Sequence, residues 1–115
     1  MAAEEFFLTI HPEPRKQGVR IEKTKYEMVR SAILENLRVH GTLSFTRLGN
    51  LLEEQFLKSF DGSVMWYYTT VKLDLEARGV IRRVPNTEPQ LIEIAAEVVY
   101  VVASPSIASG EVISS

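Results

Sequence analysis

Three stretches of this chain carry apolar residues at helical spacing, and the third is closed by a glycine and followed at once by two short β-prone segments. Tyr26, Val29, Ile33 and Leu37 recur every three or four residues, which predicts one helix over about residues 25 to 39. Thr24 and Glu27 stand where the two partners of a capping box would satisfy each other's orphan backbone donors, and His40-Gly41 suits the helix end. Ser44 is placed to cap a second helix, about 45 to 57, with Phe45, Leu48, Leu52 and Phe56 inward and Glu53 and Glu54 toward water. Asp61 or Ser63 can cap a third, which runs to Arg78 and stops at Gly79. The segments 80–84 and 91–94 are separated by Pro85-Asn86-Thr87-Glu88-Pro89-Gln90, a hairpin pattern.

Upstream, residues 4–10 form a β-prone run, the Pro- and Gly-containing stretch 11–18 is a loop, and Val19 and Ile21 alternate as a short strand. Downstream, Val98 to Val102 suit another strand or a packed extension, and the last dozen residues read as frayed. The expected organisation is an amino-terminal arm and loop (1–18), a main domain (19–94) and a carboxyl-terminal extension (95–115), with one core at this length of 115 residues. The longest uncharged stretch, Val98 to Gly110, contains Pro105 and is shorter than the roughly 20 apolar residues of a membrane span, so no membrane partner is expected. The start Met1-Ala2-Ala3-Glu4-Glu5 lacks the basic-then-apolar order of a secretion signal, and the chain has no Cys. Both favour a cytoplasmic setting, without a disulfide framework or a thiolate metal site.

An α+β fold with three helices followed by a two-stranded hairpin has the order of a winged helix-turn-helix, helices two and three forming the turn pair and the hairpin the wing. The stretch Leu73-Asp74-Leu75-Glu76-Ala77-Arg78-Gly79-Val80-Ile81, with Trp66, Val71 and Lys25-Tyr26-Glu27, resembles a family of small bacterial winged-helix proteins known mainly as a domain of unknown function. The likeness covers about residues 9 to 94. It implies the winged-helix fold, and brings no catalytic residues and no ligand.

In a winged helix that reads duplex DNA, the third helix enters the major groove and the wing meets phosphate or the minor groove. At 100° per residue, Val64, Tyr67, Tyr68, Val71 and Leu75 share the core side, Met65, Thr69, Lys72 and Glu76 form an outward ridge, and Trp66, Thr70, Leu73 and Ala77 lie nearly opposite the core. A transcription-regulator-like reading makes Lys72 and Thr69 base or phosphate contacts, supported by Tyr68 and Arg47, with Arg78, Arg82 and Arg83 on the backbone. Arg82 and Arg83, adjacent in a strand, should point to opposite sides. Charge allows only a local footprint: residues 63–83 hold four basic and two acidic side chains, whereas 84–115 hold four acidic and no basic ones, within a net charge of -2.

The alternative is a protein-interaction or homodimerisation module anchored on Trp66, with Leu73 and Tyr100 contributing, its apolar stripe covered by the terminal segments of the same chain or of a second copy. Enzymatic readings find no support. His11 beside Pro12 and His40 at a helix end have no metal-ligand neighbour at useful spacing, Glu53 and Glu54 diverge on their helix, and no phosphate loop or nucleophile elbow occurs. No cofactor and no metal are expected.

Overall fold

In the computed structural model, which describes residues 5–95, the three helical stripes become α1 (Lys23–His40), α2 (Phe45–Gln55) and α3 (Val64–Ala77). Five short strands accompany them: β1 (Phe6–Leu8), β2 (Arg20–Glu22), β3 (Leu43–Ser44), β4 (Ile81–Arg83) and β5 (Leu91–Ile94). The fold is α+β, with three helices and two small antiparallel sheets.

The ends of α2 and α3 follow their capping chemistry. Ser44 accepts a hydrogen bond from the Arg47 N–H and Ser63 from the Trp66 N–H, both at 3.1 Å, so each serine satisfies a first-turn donor. Gly41 and Gly79 take positive φ of 86° and 75°, conformations that cost a side chain-bearing residue about 1–3 kcal/mol, and this ends α1 and α3 where expected. The amino end of α1 differs from the capping-box expectation. The helix starts at Lys23, with Glu22 as its N-cap and no side-chain cap bond, so Thr24 lies already within the first turn. Because β2 runs straight into α1, the strand sets the entry point, and the Glu22 carboxylate is drawn to the Tyr67 hydroxyl (2.8 Å) and Lys25 (3.5 Å) instead.

The hairpin is wider than the expected two-stranded wing. β3 joins it, giving the order β3-β5-β4, with Leu43 opposite Ile92 and Arg83 also opposite Ile92 on the other side. Three residues between Gly41 and α2 suffice, because Leu43 buries its side chain in the core while its backbone completes the edge of the sheet. Within the hairpin connection, Thr87 and Gln90 both donate to the Val84 carbonyl, and the Leu91 N–H donates to Thr87.

The β-prone start pairs as β1 with β2, Phe7 opposite Ile21. Alternation puts Phe7 on the stacked ring of Tyr26 at 4.0 Å, while Phe6 and Leu8 face outward. One core collects Val29, Ile33 and Leu37 of α1, Leu48 and Leu52 of α2, Tyr68, Val71 and Leu75 of α3, and Ile21, Ile81 and Ile92 from the strands. At roughly 1.5–3 kcal/mol for each fully buried aliphatic side chain, this cluster is what holds the helices together. The extension at 96–115, including Tyr100, lies outside the described residues.

Candidate functional site

One face of α3 packs on α1 and α2, as its apolar side requires; the opposite face is roofed by the loop between β1 and β2. A shallow channel separates the two. Thr9, Ile10, His11, Gln17, Gly18 and Val19 line one part of it against Thr70 and Leu73. Past His11 and Leu73 it opens into a cleft of about 510 Å3, bordered by Pro12, Glu13, Glu76, Ile81, Arg82 and Arg83.

The loop is held there by a buried carboxylate. Asp74, wholly inaccessible to solvent, accepts from the Ile10 N–H at 2.9 Å, from the Tyr26 hydroxyl at 2.6 Å and from Arg78 Nε at 2.9 Å. Arg78 also lies 4.9 Å over the Phe7 ring, so one cation serves as counter-charge and packing surface at once. Sequence reading placed Asp74 in no site. The Asp74/Arg78 spacing of four residues is a legible ion-pair signal, but only the covering arm turns it into a buried one.

Burial in this network pushes the Tyr26 phenol up to about 12, with the bond to Asp74 as the second cause. Burial also raises Tyr68, assisted by the charge of Glu76. A phenol titrates near 10 in the unfolded chain, so the fold prefers the protonated form and its contribution is complete below that pH. Stability should therefore fall as pH rises from about 10 toward 12, and the Tyr26→Phe variant should lose part of that slope. Urea midpoints measured from pH 8 to 11.5 check this; a flat profile contradicts it.

The residues singled out from sequence do not share one surface. Tyr68 is fully buried, its hydroxyl donating to the Phe45 carbonyl at 2.7 Å, so the core placement holds and a supporting contact to nucleic acid does not. The outward ridge is likewise corrected. Met65 packs on the core beside Gly49, and the Lys72 side chain is only 9% exposed, paired with Glu76 at 3.2 Å and lying 5.6 Å over the Phe45 ring. The side of α3 assigned to solvent is covered by α2, because a helix packed between two others has two buried faces. Thr69, Leu73 and Ala77 are half-buried, whereas Arg47 is exposed on the first turn of α2.

Arg82 and Arg83 do diverge. Arg82 reaches Glu93 across the ladder at 2.6 Å, and Arg83 reaches back to Glu76 on α3 at 3.0 Å. Trp66 is 48% exposed, its ring edge-on to Tyr67, so the loop that covers Thr70 and Leu73 leaves the amino end of the stripe open. Among the described residues no group of three His, Cys, Asp or Glu is placed to hold a metal ion, and no helix is long and apolar enough to cross a membrane.

The model of a family of unknown function (DUF6958) matches residues 8–92, a span that takes in the loop, Asp74 with its three donors, β3, β4 and the start of β5. The chain belongs to this family. No curated protein and no solved structure matches it significantly. The region shared with DUF6958 begins in β1 at Leu8, so the covering loop is part of the family's common domain.

Proposed function

We propose that this DUF6958 protein is a winged-helix domain used for protein interaction, with Trp66 as an anchor. The order α1-β3-α2-α3-β4-β5 and the strand arrangement β3-β5-β4 support the fold, with α2 and α3 as the helix-turn-helix pair and β4-β5 as the wing. The observation that carries the functional reading is the pairing of charge on α3 and the wing. Lys72 and Arg83 meet Glu76, Arg78 meets Asp74, and Arg82 meets Glu93. A positive surface joining Lys72, Arg78 and the wing is what duplex DNA requires, and these carboxylates break it up. What α3 offers to solvent is an indole, and the loop that covers Thr70 and Leu73 exposes the apolar side chains Ile10 and Val19. A rigid, half-exposed aromatic suits a protein partner, and a second copy of the chain is the first to test.

Sedimentation of wild type and Trp66→Ala should show self-association weakened by about tenfold or more in the variant, since central aromatic anchors contribute roughly 2 kcal/mol or more. In parallel, random duplex DNA at 50 mM salt should show no binding at micromolar protein. Tight binding that falls steeply with added salt, unchanged by Trp66→Ala, would instead establish the DNA-binding, transcription-regulator reading with phosphate contacts from residues such as Arg47.

A further inference from the structure

The cleft at the wing end of α3 carries charge that the fold does not neutralise. Lys72 Nζ and Arg83 Nε approach the same oxygen of Glu76, at 3.2 and 3.0 Å, so two cations share one carboxylate and one positive charge is left over. The neighbouring guanidiniums each have their own counter-ion, Arg78 in Asp74 and Arg82 in Glu93. Arg83 is also the one whose terminal nitrogens are spare: its side chain is 59% exposed, Nε is taken by Glu76, and among the described residues no acceptor meets the two Nη atoms. Two parallel N–H donors in a plane match the two oxygens of a carboxylate.

The surroundings define the rest of the ligand. Arg83 borders the cleft of about 510 Å3, within the size range of small-molecule sites, and Leu73 and Pro12 supply apolar surface beside it. Glu13 and Glu76 on the same lining disfavour a second negative charge, and the single surplus cation matches a monoanion. The geometry points to a binding site for a small monocarboxylate with an apolar body, its carboxylate on the Nη atoms of Arg83 and its hydrocarbon against Leu73 and Pro12. Such a ligand bridges the β1–β2 loop, α3 and β4, so its binding ties the loop to the wing. It is independent of the Trp66 surface, which lies at the other end of the helix.

The test is a titration of the isotope-labelled full chain with hexanoate, hexylamine and acetate at constant ionic strength, following the amide resonances of Pro12's neighbours, Leu73, Ile81 and Arg83. Hexanoate should give saturable shifts there, hexylamine none, and acetate at least tenfold weaker binding for want of the apolar contact. Arg83→Gln should weaken hexanoate at least tenfold and Arg83→Lys less, because lysine keeps the charge and loses the fork. Leu73→Ser should weaken hexanoate and leave acetate unchanged. The Arg83 variants alter an exposed side chain and are checked for native circular dichroism; Leu73→Ser provides an independent readout of the apolar half. No saturable shift with hexanoate up to about 20 mM, equal binding of hexylamine, or unaltered affinity in natively folded Arg83→Gln overturns the proposal.

Discussion

Replacing Asp74 by alanine should destabilise the domain by roughly 3–5 kcal/mol, the cost of breaking a buried ion pair from one side. The carboxylate is at zero exposure and holds three donors from three different elements: the Ile10 N–H, the Tyr26 hydroxyl and Arg78. Removing it strands a guanidinium against the Phe7 ring and leaves an amide and a phenol without an acceptor. In a domain of this size each kcal/mol moves the melting temperature by about 4–8 °C, so the drop should exceed about 12 °C. Asp74→Asn keeps the volume and one acceptor and should cost less. Arg78→Gln should also be strongly destabilising, because it leaves a fully buried carboxylate without its counter-charge. Thermal melts of the three variants measure these costs directly. A melting temperature for Asp74→Ala within about 5 °C of wild type would show that the carboxylate is not the anchor of the arm.

The second large effect is expected at Gly18, and its cause is space. A Cβ built there would sit 1.7 Å from the Thr9 carbonyl oxygen and 2.3 Å from the Thr9 carbonyl carbon. Backbone cannot yield as a flexible side chain does, so Gly18→Ala has to pry the two sides of the β1–β2 loop apart. The Thr9 N–H to Val19 carbonyl bond and the Val19 N–H to Thr9 Oγ1 bond, both 2.9 Å, should break first. Two hydrogen bonds at about 1 kcal/mol each, with partial exposure of Thr9 and Phe7, amount to roughly 2–4 kcal/mol. Gly41→Ala is the control. Gly41 has φ of 86° and open space around it, so alanine there should cost about 1–3 kcal/mol of backbone strain and open no hydrogen bond of the β1–β2 loop. Hydrogen exchange at Thr9, Ile10 and Val19 should rise sharply in Gly18→Ala and stay near wild type in Gly41→Ala. Equal protection in both variants would contradict the close approach.

Much of the fold was legible because its signals are local. The serines that cap α2 and α3 and the glycines that end α1 and α3 act within four residues of themselves, so spacing alone reveals them. The core positions of α3 followed from period: Tyr68, Val71 and Leu75 are all fully buried. The failures are non-local. Thr24 looked like a cap until β2 delivered the chain into α1 two residues early. The third strand of the wing sheet is a two-residue segment, too short to show alternation, and it exists because Leu43 and Ile92 meet across the chain.

The candidate site divides in the same way. Arginine side chains at 78, 82 and 83 and the carboxylates at 74, 76 and 93 are written in the sequence, including the i,i+4 spacing of Lys72 with Glu76 and Asp74 with Arg78. Their pairing removed most of the positive surface that a count of residues 63–83 suggests, because a count registers charge and not the distance to a counter-charge.

By itself the sequence determined the three helices, the serine caps of α2 and α3, the glycine stops of α1 and α3, the hairpin and the core-facing side of each helix, since those depend on hydrogen bonds and side-chain periods spanning one or two turns. Only the tertiary structure decided that Lys72 is enclosed, that Asp74 anchors the loop, and that the terminal nitrogens of Arg83, unpaired among the described residues, border the cleft. Burial and charge balance are properties of neighbours brought together across the chain. A helix with one neighbour has one outer face, but α3 lies against α1, α2 and the β1–β2 loop, and what remains to it in solvent is the end that carries Trp66.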